Sequence, residues 1–117
     1  MTPIQQLMLG VGAKKKTYMD DVFSTYLYTG DGSSSLNINN GINLSADGGM
    51  TWIKGRGGTS HNIISDTVRG VNKRLITNGT YTENTSGTNY VTAFNTNGFT
   101  IGDYYGINTD DATFASW

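Results

Sequence analysis

Beyond residue 20, no stretch of this chain sustains the 3.6-residue apolar period of a helix through three turns. Short apolar runs are instead interrupted every few residues by Gly, Asn and Asp, the residues that accept the backbone angles of tight turns. Segments 22–28, 36–38, 50–54, 61–66, 73–77, 90–94, 99–101 and 113–117 read as strands, with turn signals between them. Asn39-Asn40-Gly41 is the strongest of these, because Asn-Gly tolerates the positive φ of a hairpin turn. Within 50–54, alternation puts Met50, Trp52 and the Lys54 stem on one face and Thr51 and Ile53 on the other. Trp52, lying between Met50 and Ile53, reads as a core residue. Short strands at such spacing predict an all-β fold, an antiparallel β-sandwich or jelly-roll-like module over residues 21–117.

Composition supports this and excludes several functions. Gly, Thr, Asn and Ser make up nearly half of the 117 residues, while charged residues supply only 15%. Disorder of the charged kind is excluded by the low net charge of -1 and by an aromatic content of 11%. That charge also provides no field for gripping a phosphate backbone, so no nucleic-acid partner is expected. No apolar run approaches the roughly 20 residues of a membrane span. With no cysteine there is neither a disulfide framework nor a thiolate metal site.

Residues 1–20 differ from the rest. Ile4, Leu7, Met8, Leu9 and Val11 form an apolar patch, and Lys14, Lys15 and Lys16 follow it. The patch is too short to be a stable helix alone in water. It reads as an extended or short-helical arm that becomes ordered against a partner.

Catalytic patterns are weak. His61 is the only histidine, and Asp66, five residues on, falls on the opposite face of an extended chain. The pairs Asp20-Asp21 and Asp110-Asp111 are sequence neighbours whose side chains diverge in extended structure, and Glu83 is the single glutamate. The glycine-rich loop 55–60 lacks the Gly-Lys-Ser/Thr ending of a phosphate cradle. Asp31 and Asp47 lack the alternating acidic spacing of a calcium loop. No enzymatic activity, cofactor or metal is expected. Arg69, Lys73 and Arg74 read as a solvated strand edge that discourages aggregation. The Asn-x-Ser/Thr triplets at Asn43, Asn78 and Asn84 are expected by chance in a chain of this composition. Among the tyrosines, Tyr104 and Tyr105, flanked by Gly102-Asp103 and Gly106, are the best candidates for contact with a ligand.

Ile4-Gln5-Gln6-Leu7-Met8-Leu9-Gly10, residues 13–25, Tyr28-Thr29-Gly30-Asp31-Gly32, residues 39–45, residues 48–56 and residues 94–102 form a set of segments. Together they resemble virion proteins of marine tailed bacteriophages, cyanophages among them, of the tail-fibre and adhesin kind. The resemblance implies an N-terminal anchor followed by a β-module, located in the virion. In longer members of that family the equivalent of Ala115-Ser116-Trp117 continues into a further module, so this chain is either a fragment of a longer fibre, the reading favoured here, or a domain closed by that strand.

On that basis the expected function is a phage virion structural protein that attaches a fibre or decoration to the particle. Ile4, Leu7, Met8 and Leu9 would enter a groove of a neighbouring capsid or tail subunit, with Lys14, Lys15 and Lys16 on an acidic rim. Phage fibres are commonly trimers, so a homo-oligomer is expected by analogy. The alternative is a carbohydrate-binding adhesin module that recognises a host-surface glycan through Tyr104 and Tyr105.

Overall fold

A computed structural model describes residues 16–117. Strands β1 (Tyr26–Thr29), β8 (Thr113–Ser116), β3 (Met50–Gly55), β4 (Asn62–Asp66) and β5 (Leu75–Ile76) make one sheet in that spatial order. Strands β2 (Leu36–Ile38), β7 (Gly98–Ile101) and β6 (Val91–Asn95) make the other. All pairings between these strands are antiparallel. Among the described residues, the single-turn helix α1 (Met19–Val22) precedes β1, and two more, α2 (Leu44–Asp47) and α3 (Tyr105–Asn108), sit in the β2–β3 and β7–β8 connections. The molecule is an all-β sandwich with a few helical turns.

The core lies between the sheets. Ile53, Ile63 and Phe114 from the larger sheet meet Ile38, Val91, Phe99 and Ile101 from the smaller, with Leu44 and Ile107 from the helical turns. Burying a side chain of this size contributes roughly 1.5–3 kcal/mol against leaving it in water. Tyr28 stacks on Phe114 with ring centroids 5.3 Å apart. Its hydroxyl donates to the Ile107 carbonyl at 2.8 Å, which ties β1 to α3. Burial pushes the Tyr28 phenol far above its ordinary value.

The strand expectations hold in outline: 73–77 is reduced to the two residues of β5, and two differences are larger. Within 22–28 only the last three residues join β1, because residues 19–22 close a helical turn in which the Asp21 carboxylate accepts from the Tyr18 amide at 2.9 Å. Such a local carboxylate–amide bond satisfies one orphan donor of the turn and competes with extended structure. Trp52 is the second. Alternation along β3 is as read, but the buried face is Thr51, Ile53 and Gly55, and Trp52 remains 39% exposed. It lies beside Trp117, with centroids 5.4 Å apart, and its indole N–H donates to Asn62 Oδ1 at 2.9 Å. The indole has found its partners on the outer face.

Among the described residues, no helix is long and apolar enough to cross a membrane.

Candidate functional site

The connection between β7 and β8 carries the most exposed of the candidate aromatic residues. Its anchor is Asn108, which is fully buried. The Asn108 side chain accepts from the Asp31 amide at 2.9 Å and donates to the carbonyls of Ser33 (2.9 Å) and Gly102 (3.0 Å). A buried amide with this many partners stabilises the loops it joins, and losing it would strand several backbone groups. The Asp31 carboxylate is engaged in the same network: it accepts from the Ser33 amide at 2.9 Å. The hydrogen bonds from Ser33 hold this carboxyl below its ordinary value.

With α3 fixed at its C-terminal end, Tyr104 and Tyr105 project from its start. The Tyr105 ring is 70% exposed and lies against Tyr104 at 4.7 Å between centroids. Tyr104 in turn meets Tyr90 edge-to-face at 5.0 Å. The Arg74 guanidinium sits 4.5 Å from the centroids of both Tyr90 and Tyr104, and its Nη1 donates to the Tyr104 hydroxyl at 2.8 Å. Cation–π contacts of this kind stabilise by roughly 0.5–2 kcal/mol. Partial burial, and secondarily the Tyr105 hydroxyl, raise the Tyr104 phenol, with Arg74 pulling the other way. Gly106 makes the arrangement sterically feasible, since a Cβ there would stand 2.5 Å from the Tyr104 ring.

Beside these rings lies a cleft of about 650 Å³. Its opposite wall is the β3–β4 loop, with Gly55, Thr59, Ser60 and His61, and Thr109, Asp111 and Thr113 complete the rim. A Cβ on Gly55 would strike the Ser60 hydroxyl, so this glycine lets the loop fold back on its strand. Asp111 adopts φ 59°, a left-handed conformation that aspartate accepts more readily than most residues. The volume falls in the ordinary range for small-molecule sites. Exposed aromatic faces and a polar rim suit a ligand with both apolar C–H faces and many hydroxyls.

His61 and Ser60 share this cleft. The His61 ring lies edge-on to Tyr81 at 5.5 Å, and the Asn78 side-chain amide approaches Nδ1 at 3.2 Å. With the amide nitrogen donating, Nδ1 is the acceptor and Nε2 carries the proton. Among the described residues, no group of three His, Cys, Asp or Glu side chains is placed to hold a metal ion.

Tyr104, Tyr105, His61, Asp111 and the loop 55–60 therefore share one site, although they are spread over half of the sequence. Of the basic cluster, Arg69 is exposed and pairs with Asp66 at 2.9 Å and Glu83 at 3.1 Å, whereas Arg74 is held between tyrosines and so departs from the solvated edge expected of it. The role of Arg74 and the buried hub at Asn108 have no local signature in the sequence. Of the arm, Ile4, Leu7, Met8, Leu9, Lys14 and Lys15 lie outside the described residues. Lys16 is exposed and lines a second groove of about 870 Å³, at the opposite end of β3 from Gly55.

No curated protein and no solved structure matches the chain significantly. One family model does match, over residues 19–117, from the first residue of α1 to the residue after β8. The match covers the whole sandwich, and the chain belongs to the family described as "Domain of unknown function (DUF7483)".

Proposed function

We propose that this module binds carbohydrate in the Tyr104–Tyr105 cleft, acting as an adhesin-like recognition module of a phage particle. The supporting observation is the exposed Tyr105 ring, braced by Tyr104, which Arg74 holds in turn, beside a cleft rimmed by Ser60, His61, Thr109 and Asp111. A tyrosine braced from behind keeps its outer face for a sugar ring and loses little conformational freedom on binding. The rim supplies hydroxyl, imidazole and carboxylate groups to hydroxyls of the ligand. On this reading the module works by binding, without bond-making chemistry. Its virion context rests on the resemblance described above.

A glycan array followed by calorimetry on the best ligand tests this. Tyr105→Ala is expected to weaken binding about tenfold or more, equivalent to about 1.4 kcal/mol, with the circular dichroism unchanged. An array without signal for the wild-type protein would overturn the reading.

A second reading, a virion structural module attached by its arm, is favoured by the exposed apolar residues Met19, Val22 and Phe23 at the foot of that arm. Here a chain lacking residues 1–20 is expected to fold but to be missing from assembled particles. Incorporation of the truncated chain would end this reading.

A further inference from the structure

The groove lined by Lys16 is a second apolar concavity, of about 870 Å³. Met50, Trp52 and Trp117 form one wall, Phe23 another, and the buried Leu44 contributes from α2. Trp52 and Trp117 are 39% and 36% exposed here, and Phe23 and Met50 are more exposed still. A soluble module seldom leaves two tryptophans, a phenylalanine and a methionine open to water in one hollow.

Two features identify the occupant. The first is reach: the chain enters the described structure at Lys16, itself part of the groove. Val11 is only five residues before it, at most about 17 Å of extended chain away. The segment within reach of this hollow is Ile4-Gln5-Gln6-Leu7-Met8-Leu9-Gly10-Val11, an apolar stretch with no charged residue. A tether of that length gives an effective concentration on the order of millimolar, so modest contacts suffice. The second is charge. Asp21 and Asp47 line the groove, and Lys14, Lys15 and Lys16 immediately follow the apolar stretch.

We propose that residues 4–11 of this chain dock into its own groove, with Leu7, Met8 and Leu9 covering Trp52 and Trp117 and the lysine run meeting Asp21 and Asp47. This rests on neither functional reading. A segment held in this way is open to exchange with the groove of another copy through the same contacts.

The protein has two tryptophans and both line this groove, so indole fluorescence reads its occupancy directly. In the full chain, Leu7→Asp with Leu9→Asp is expected to red-shift the emission and raise acrylamide quenching, while the far-ultraviolet circular dichroism stays unchanged. Asp47→Lys, which leaves the apolar segment intact, is expected to raise quenching at low salt and to have less effect at high salt. In the wild-type chain, protection is expected to persist on dilution. Unchanged emission and quenching in the Leu7/Leu9 variant would overturn the proposal. So would wild-type protection that disappears on dilution together with dissociation of an oligomer, since the covering segment would then come from a second copy.

Discussion

The two sheets turn opposite kinds of surface outward. On the smaller sheet, Thr100 in the central strand donates to Asn37 Oδ1 at 2.7 Å and accepts from Asn95 Nδ2 at 2.9 Å, while Thr92 donates to the Thr100 carbonyl at 3.3 Å. A polar ladder thus runs across all three strands and finishes that face toward water. On the larger sheet the corresponding face carries Leu27, Met50, Trp52 and Trp117, all exposed. Both sheets bury one apolar face against the other, as any sandwich must. Only the smaller one completes the usual polar exterior. An antiparallel sheet with apolar residues on both faces is built to be covered on both. This outer face of the larger sheet, at Trp52 and Trp117, is the one that residues 4–11 are proposed to cover.

Three substitutions test this contrast. The largest expected effect is on the inner face: Ile53→Ala, at a fully buried position, should cost about 2–5 kcal/mol in urea unfolding. On the polar face, Thr100→Val removes a hydroxyl that serves two asparagines and should cost about 1 kcal/mol, because water can replace part of what is lost. The smallest loss is expected on the apolar outer face, where Trp52→Ala should cost under about 1 kcal/mol in spite of its size. If Trp52→Ala proved as damaging as Ile53→Ala, that face would belong to the folding core and the contrast would collapse.

Strand positions were largely legible because their signals are local. Gly41 takes the positive φ of 84° expected at Asn39-Asn40-Gly41, although the chain there enters α2 and β2 pairs with β7, so the turn closes no hairpin. Met50–Gly55 shows its alternation without help from elsewhere. The candidate site was legible only in its most exposed part, Tyr104 and Tyr105, through the small and polar residues that flank them. His61 and Asp111 each looked unpromising alone, because no sequence pattern announces that the β3–β4 loop and the segment before β8 border one cleft. Arg74 looked like a solvated charge because the tyrosines that hold it are 16 and 30 residues away.

The sequence by itself determined an all-β chain of short strands, the place of its turns and the alternation that gives each strand two faces. Those are properties of a few neighbouring residues, decided by backbone sterics and side-chain spacing. Tertiary structure decided which face of β3 went inside. Thr51 and Ile53 fit the layer opposite the smaller sheet, and Trp52 was turned outward to Trp117 and Asn62. It also decided that Asn108 would lock to a loop 77 residues earlier and so hold α3 beside the cleft. Such choices depend on how whole sheets fill one volume, and a pattern with a period of two residues carries no information about that volume.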